Sequence, residues 1–523
     1  MDEAADGRIT QDIQRGEEAA LALSLLGYAH RLHKQHRFRA SEAFYRCSLA
    51  LNPTLIEAQI GLGATLHKLG DFPQARAVYT QAQQQAPGNP LLLTNLGVLC
   101  KDMGELDEAV RLQQMAVRLC PENFSFRNNL GAALLRLGRE DEACACFREI
   151  LVRQPGHVGA CSNIARLMER TGDLAAAEEY YRQSLHSDPG SQTLRYQLGM
   201  LHLKQGRLDL GWQGYEYRWS SKYLRNEYRH FAQPQWRGEP LDGAPVLIHT
   251  EQGYGDAIQF LRYAPMVAAR GGRVILQVPS RLCRLAASLS GIERIISLSD
   301  SLPEFRWQCP VMSLPYAFAT TLETIPSATP YLRADAAMTQ LWSQRLADGS
   351  LADGNLAGGG SGGSASGTPL RVGLIWGGNP KNGREKERSI PLELLAPLAE
   401  IPETRFYSLQ MGEIAAQVQQ FPAIVDLSGQ QEDFAETAAI IANLDLVISI
   451  DSSVAHLTGA LGKPVWIPLH YDRDWRWMME RTTTPWYPTA RLFSMERGET
   501  WPIVLARLRR ELEELAANRA ARP

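Results

Sequence analysis

The segment LVISIDSSVAHLTGALGKP, from Leu446 to Pro464, is the stretch around which the second half of the chain is organised. Its first five residues predict a short buried parallel strand, and the Asp-Ser-Ser that follows predicts a turn. Residues Val454 to Leu461 predict a helix that ends at Gly462, and another apolar run follows directly. The segment therefore predicts a β-α-β unit.

The start of that helix has two interpretations. The free N–H groups of a helix start, at the carboxyl edge of a parallel sheet, stabilise a phosphate by roughly 0.3–2 kcal/mol through the helix dipole. Asp451 and Ser452 are also residue types that commonly cap helices. An anion site and a plain helix cap both stay open at this point.

Composition limits the class of protein. With 523 residues, 45% of them hydrophobic, the chain is long enough for two to four domains. The 54 basic and 57 acidic residues give a net charge of −3, which argues against nucleic acid or an anionic membrane surface as partner. The eight cysteines lack metal-binding spacing, and no apolar run has the length of a membrane span. We expect a soluble cytoplasmic protein that is not inserted in a membrane.

A repeat occupies the first half of the chain. Prolines recur every 34 residues, at Pro53, Pro87, Pro121, Pro155 and Pro189. Small residues share the same period at positions where two helices would cross: Ala29, Gly63, Gly97, Gly131, Ala165 and Gly199. Glycines punctuate the predicted turns: Gly70, Gly104, Gly138, Gly172 and Gly206. The pattern resembles the tetratricopeptide repeat over about residues 20 to 222, which implies six helix pairs in a superhelix with a concave face for a partner.

One repeat position carries an amide ladder of Asn95, Asn129, Asn163 and Gln197. Such a ladder can bond the backbone of an extended peptide without reading its sequence, and it is similar to the asparagine ladder of the O-GlcNAc transferase repeats. The alternative is that the amides only satisfy neighbouring helix ends. We interpret the ladder as a binding surface for an acceptor protein.

The repeat degenerates in residues 211–238, which are rich in aromatic and arginine residues. A terminal repeat has to cover its apolar face, so these aromatics predict a packing joint to the next domain. They are Trp212, Tyr215, Tyr217, Trp219 and Trp236.

From Pro245 the pattern changes to alternating strand and helix, which predicts a Rossmann-like domain. Its first strand, VLIHT, precedes the turn EQGYGD and a helix over residues 257–271. Gln252, Gly253 and Gly255 form the turn, and Asp256 lies at the start of the helix. The Asp256 carboxylate can cap this helix or act as a general base at the edge of the sheet.

A Gly/Ser-rich linker, residues 344–369, precedes a second Rossmann-like domain and could let the two open and close over a cleft. After the strand RVGLIW, a loop concentrates Lys381, Arg384, Lys386 and Arg388, where a diphosphate would need neutralisation. A solvated surface loop is the alternative. The predicted divisions are a polar tail (1–16), a solenoid (17–222), a first Rossmann-like domain with the joint (223–343), the linker, and a second such domain with a closing helix (370–523).

The turn with Asp256 and the D-S-S-x-A-H helix start together resemble the GT-B glycosyltransferases of the heptosyltransferase superfamily. The whole chain resembles bacterial tetratricopeptide-repeat glycosyltransferases, some of which modify flagellin in the cytoplasm. The resemblance implies a fold of an N-terminal α-solenoid followed by two Rossmann-like domains.

By the same resemblance, Asp256 would deprotonate the acceptor hydroxyl. The donor phosphates would be held by residues of the D-[ST]-x-x-x-H signature and of the nearby loops: Asp451, Ser452, Ser453, Val454, His456, Lys386, Arg388, Asn379 and Gln410. The family usually has Thr-Gly after the aspartate where this chain has Ser452-Ser453, so the donor sugar and nucleotide stay open.

The function implied is inverting transfer from a nucleotide-sugar, without metal or other cofactor, to a Ser or Thr hydroxyl of a protein acceptor such as flagellin. A non-catalytic adaptor with a degenerate GT-B region is the main alternative, and a UDP-sugar epimerase of similar layout is a further one.

Overall fold

A computed structural model describes residues 3–221, 224–347, 369–378 and 388–520, with side chains from residue 16 to residue 519. The chain divides into two compact units, residues 1–190 and 191–523. Of the basic loop, only Arg388 lies within the described residues, and most of the predicted linker lies outside them.

The first unit consists of antiparallel helix pairs, as the 34-residue period predicts. Its helices are α1 Glu3–Lys34, α2 Phe38–Leu51, α3 Ile56–Leu69, α4 Phe72–Gln85, α5 Pro90–Met103, α6 Leu106–Leu119, α7 Phe124–Arg136, α8 Glu140–Arg153, α9 Val158–Thr171 and α10 Leu174–Ser187. The segment predicted as a polar tail is helical from Glu3 onward.

Local chemistry sets the bounds of these helices. The side chains of Asp71 and Asn89 accept hydrogen bonds from the free N–H groups at the starts of α4 and α5. Gly70 and Gly104 end the preceding helices in the left-handed conformation, with φ of 83° and 86°, which glycine adopts without strain. The predicted turn glycines are therefore confirmed.

The second unit begins with a sixth helix pair, α11 Gln192–Lys204 and α12 Leu208–Tyr215. The predicted number of six pairs is confirmed. Short 3₁₀ turns at Arg218–Ser220 and Arg225–Glu227 lead from this pair toward the first sheet.

The first sheet has four parallel strands in the order β3-β2-β1-β4. The strands are β1 Pro245–His249, β2 Arg273–Val278, β3 Ile292–Ser297 and β4 Trp307–Pro310. The helices are α13 Tyr254–Phe260, α14 Ala264–Ala269, α15 Ser280–Ala286, α16 Leu314–Ala317 and α17 Ala336–Ala347. The prediction of a single helix over residues 257–271 is wrong in detail, because a 3₁₀ turn at Leu261–Tyr263 separates α13 from α14. Pro265 lies in the first turn of α14, where a proline is tolerated because it needs no N–H partner.

The second sheet has seven strands in the order β10-β11-β9-β8-β5-β6-β7, parallel except for the β10-β11 pair. The strands are β5 Leu370–Ile375, β6 Thr404–Ser408, β7 Ile424–Asp426, β8 Leu446–Ser449, β9 Val465–Leu469, β10 Thr483–Thr484 and β11 Tyr487–Ser494. The helices are α18 Leu392–Leu395, α19 Phe434–Ala442, α20 Ser453–Ala460 and α21 Trp501–Ala520. The β-α-β unit predicted around residues 446–464 is confirmed as β8-α20-β9.

One continuous hydrophobic core joins α12 and both sheets of the second unit. Trp212 of α12 packs edge-on against Phe260 and Trp475, at ring-centroid distances of 6.1 and 5.3 Å. The predicted aromatic joint therefore packs as expected, because Trp212 contacts Phe260 of α13 beside the first sheet and Trp475 in the loop after β9 of the second sheet. Among the described helices, none has the length and apolar composition needed to cross a membrane.

The crossing of α11 and α12 gives a test of the packing. A Cβ atom at Gly199 would lie 2.5 Å from the Cα of Gly214, which is a backbone atom that cannot rotate away. We expect Gly199→Ala to destabilise the second unit by about 1–3 kcal/mol. All 11 tryptophans lie between Trp212 and Trp501, so tryptophan fluorescence during urea unfolding reports on this unit alone.

Gly27 of α1 is a matched control, because no atom lies within 4 Å of a Cβ built there. Gly27→Ala should leave the fluorescence transition unchanged and stabilise the first unit slightly, as followed by far-UV circular dichroism. An unchanged fluorescence midpoint for Gly199→Ala would contradict the close crossing.

Candidate active site

The start of α20 is the first component of the site. The Ser452 hydroxyl accepts hydrogen bonds from the N–H groups of Val454 and Ala455, at 3.2 and 3.3 Å, and bonds the Ser449 hydroxyl at 2.8 Å. Ser452 therefore caps the helix, as one of the two sequence interpretations expects. A phosphate bound here would have to share these N–H groups with the cap or displace it.

Asp451 precedes this cap and lies beside two cationic or titratable groups. Its carboxylate oxygens are 3.6 Å from Arg388 Nη1 and 3.8 Å from His456 Nε2. Burial raises the pKa of the Asp451 carboxyl, and the neighbouring Asp474 raises it further, against the opposing effect of Arg388. Asp451 and Arg388, which the sequence assigned to donor binding, are thus brought together.

His456 is buried on the same helix. Its Nδ1 shares a 2.9 Å hydrogen bond with the Tyr487 hydroxyl, and its ring stacks on Trp477 at 5.2 Å. Burial, reinforced by the positive charge of Arg476, lowers the pKa of the His456 imidazole to about 3. His456 is therefore neutral at physiological pH and orients α20 by hydrogen bonding.

The turn after β1 is the second component. The Asp256 Oδ2 accepts a 2.9 Å hydrogen bond from the Gly253 N–H, so Asp256 caps α13. Its Oδ1 accepts a hydrogen bond from Arg476 Nη2, and 22% of the side chain stays exposed. Capping and general-base action are compatible here, because the carboxylate is held in place and still reachable by a substrate hydroxyl.

The turn and the helix start are in direct contact. A Cβ atom at Gly255 would lie 3.0 Å from His456 Cδ2 and 3.5 Å from the Ser453 Cα. Glycine at position 255 therefore lets the turn approach the His456 ring this closely. The two motifs that the sequence singled out in separate domains therefore form one cluster.

Buried ion pairs of Arg218 lie next to the turn. Arg218, which is fully buried, donates from Nε and Nη2 to Glu251 Oε1, at 3.1 and 2.8 Å, and from Nη1 to Glu216 at 3.0 Å. Burial raises the pKa of Glu251 to about 7, with Arg218 acting in the opposite direction.

Gln252, next in the chain, has a φ of 64° and donates a 2.9 Å hydrogen bond to Tyr215 of α12. The positive φ of Gln252 is a strained conformation, and its hydrogen bond to Tyr215 helps to fix the geometry of the turn.

Arg476 is the residue that the sequence reasoning missed. It lies in the loop after β9 and donates to Asp256, to Asp474 Oδ1 at 2.8 Å and to Gln259 Oε1 at 2.8 Å. Burial disfavours its charge, but the carboxylates of Asp474 and Asp256 outweigh burial and raise the pKa of the guanidinium. The alternation of charge and tryptophan in DRDWRW, directly after a buried strand, is the signal that could have indicated it.

The remaining predicted residues have varied surroundings. The Gln410 side chain accepts from the N–H groups of Trp376 and Gly377 and donates to the carbonyls of Gly377 and Met411, so it shapes the loop after β5. Lys386 and Asn379 lie outside the described residues. Their part in donor binding stays a prediction.

The amide ladder lies on the first helix of successive pairs. Asn95, Asn129 and Asn163 are partly buried on α5, α7 and α9, and Gln197 is on α11 of the second unit. Asn163 Nδ2 donates a 3.0 Å hydrogen bond to Asn128, a neighbour of the ladder position on α7. Part of the ladder thus bonds within the solenoid.

Comparison with known proteins identifies the two parts of the chain. Residues 408–497, which include α20 and the loop with Arg476, match glycosyltransferase family 9 (heptosyltransferase). Tetratricopeptide-repeat models match residues 66–119, 94–158 and 163–211. The chain combines tetratricopeptide repeats with a glycosyltransferase family 9 domain. This confirms the resemblance drawn from the sequence motifs.

A relative in Caulobacter vibrioides, Protein FlbA, is 25% identical over 405 residues, which cover 71% of this chain and 64% of FlbA. The chain thus matches somewhat less than two thirds of that relative. Among solved structures, a thermophilic TPR protein of Thermus thermophilus matches 35% of this chain and 99% of its own, with 22% identity and a TM-score of 0.33. YrrB, a TPR protein with an unusual peptide-binding site, also matches 35% of this chain and 94% of its own, with 22% identity and a TM-score of 0.28.

The buried neutral His456 predicts a specific acid sensitivity. Because the folded pKa lies below the ordinary value of about 6.5, its contribution to stability is full above pH 6.5 and is lost as the pH falls toward about 3. The loss is about 1.4 kcal/mol per pH unit within that window. His456→Gln keeps a polar side chain but cannot take up the proton.

We therefore expect the free energy of unfolding to fall less steeply with acidification in His456→Gln than in the wild type. Urea titrations followed by tryptophan fluorescence at several pH values measure both slopes. His230→Gln, at an exposed histidine, serves as the control. Parallel slopes for the wild type and His456→Gln would show that His456 does not titrate in this way.

Proposed function

We propose that this protein is an inverting, metal-independent glycosyltransferase that moves a sugar from a nucleotide-sugar to a Ser or Thr hydroxyl of a protein acceptor. The observation that carries the proposal is the contact between the Asp256 turn and the start of α20, with Arg476 bonding Asp256. A general base and an anion-attracting helix start in one cluster provide for both reaction partners.

In the proposed reaction, the acceptor hydroxyl gives its proton to the Asp256 carboxylate as its oxygen attacks the anomeric carbon of the sugar. The bond between that carbon and the phosphate oxygen breaks, and the nucleotide leaves with the bonding electron pair. Attack opposite the leaving group inverts the anomeric centre. The negative charge that develops on the leaving phosphate lies toward α20 and Arg388, where dipole and guanidinium stabilise it.

The proposal of a protein acceptor is based on the repeats. The tetratricopeptide repeats favour a protein acceptor, with the amides of Asn95 and Asn129 as candidates for bonding its backbone. Flagellin is the acceptor suggested by the resemblance to flagellin-modifying enzymes. The location of the enzyme with such an acceptor would be the cytoplasm.

The role of Asp256 is tested by Asp256→Asn, which keeps an oxygen for Arg476 and removes the base. We expect turnover to fall by about 10²- to 10⁴-fold, because that is the typical contribution of a positioned general base. Donor affinity, measured by isothermal titration calorimetry, should stay nearly unchanged. Glu304→Gln, at an exposed residue of the same sheet region, is the control.

Full activity of Asp256→Asn would show that another group is the base. If purified wild-type protein neither transfers sugar to flagellin nor hydrolyses any donor of a nucleotide-sugar panel, the non-catalytic adaptor becomes the better description.

The acceptor surface is tested by the double variant Asn95→Ala, Asn129→Ala. Loss of two backbone-directed hydrogen bonds of about 0.5–1.5 kcal/mol each should raise the KM for the protein acceptor by roughly 5- to 100-fold. Donor hydrolysis in the absence of acceptor should not change. Arg148→Ala, at an exposed residue of α8, is the matched control. An unchanged acceptor KM would assign the ladder to the internal stability of the solenoid.

A further inference from the structure

A pocket of about 110 Å³ lies at the carboxyl ends of β8 and β9. Five charged residues line it: Arg388, Asp451, Asp472, Arg473 and Asp474. Because Asp451 directly precedes the cap of α20, the pocket extends from the proposed donor site into the loop after β9.

Each carboxylate of the pocket has a cationic neighbour. Asp472 accepts a 2.9 Å hydrogen bond from Lys204 Nζ, Asp474 bonds Arg476 at 2.8 Å, and Asp451 lies 3.6 Å from Arg388. The acidic side chains are therefore already compensated within the protein.

Two donors of Arg473 are accepted by none of these carboxylates. Its side chain is buried, with 8% of the residue exposed, yet its Nε and Nη1 atoms have no hydrogen-bond partner in the described part of the chain. The flanking Asp472 and Asp474 bond other cations instead. Two buried guanidinium donors without acceptors lower the stability of the fold, so their retention points to a ligand that supplies the missing acceptor.

The backbone of the same loop is strained. Met478 and Glu480 have φ values of 52° and 55°, in the left-handed region that side chains other than glycine rarely adopt. Strain of this kind persists where the surrounding structure fixes a loop, and such sites are frequently ligand sites.

We propose that Arg473 binds a phosphate oxygen of the donor nucleotide in this pocket. The inference rests on the proposed function in taking the donor to be a nucleotide-sugar. A phosphate fits because it offers several acceptor oxygens and a negative charge, and because the start of α20, which follows the pocket residue Asp451, also favours an anion. Arg473, Arg388 and the dipole of α20 then together stabilise the phosphate of the leaving nucleotide.

The test compares wild type, Arg473→Met, Arg473→Lys and the control Arg481→Met, whose arginine is exposed in the same loop. Calorimetry measures the binding of inorganic pyrophosphate and of a panel of nucleoside diphosphates with their parent nucleosides. We expect Arg473→Met to weaken pyrophosphate and nucleoside diphosphates by about 10- to 100-fold, the usual effect of losing a hydrogen bond to a charged group. Nucleoside binding and the Arg481→Met control should not change, and Arg473→Lys should be intermediate.

A second measurement separates ligand binding from a structural role. Without ligand, Arg473→Met removes a buried charge with two unpaired donors, so its tryptophan-monitored unfolding midpoint should rise above that of the wild type. A residue kept for structural reasons would give a lower midpoint on substitution, and that result overturns the proposal.

Two further outcomes also overturn it: no pyrophosphate binding by the wild type, or equal pyrophosphate affinity in wild type and Arg473→Met. Glucuronate is titrated in the same way, and a selective loss of its binding in Arg473→Met would assign Arg473 to a sugar carboxylate and overturn the phosphate assignment. Failure of the proposed function looks different, because Arg473-dependent pyrophosphate binding would then persist in a protein that transfers no sugar.

Discussion

The arrangement of the second unit depends on the hydrogen bonds that the Arg476 guanidinium donates. It is buried, and its donors are used by Asp256 and Gln259 from the first sheet region and by Asp474 from its own loop. A buried charge is tolerated only when its partners are in place, so this contact fixes how the turn after β1 meets the loop after β9. The position of the proposed base therefore depends on a residue of the domain that would bind the donor.

Around this contact, apolar packing and compensated charge act together. Trp212, on the last helix pair of the solenoid, packs in the core of the second unit against Phe260 and Trp475. Arg218, which follows this pair, donates a hydrogen bond to Glu251 just before the Asp256 turn. The sixth helix pair is thus a structural part of the Rossmann-like unit.

Backbone strain and unpaired buried donors occur in both loops of the proposed site. Gln252 in the turn and Met478 and Glu480 in the loop have positive φ values, and Arg473 of the same loop has two buried donors without a hydrogen-bond partner in the described residues. Folding alone gives no reason to keep such costs at one edge of two sheets. Binding and catalysis do, because a ligand can repay them.

Sequence by itself determined the elements with strong local signals. The 34-residue period, the glycine turns and the apolar strands predicted the six helix pairs and the β8-α20-β9 unit, because helix crossing and strand burial depend on spacing along the chain. The motifs at Asp256 and Asp451 were also visible in the sequence. Only the tertiary structure decided that Gly255 lies against His456, that Arg476 bonds Asp256 across 220 positions of the chain, and that Arg473 Nε and Nη1 are buried without hydrogen-bond partners among the described residues. Ion pairing and burial between distant segments leave no period in a sequence, since they depend on which loops meet when the two sheets pack.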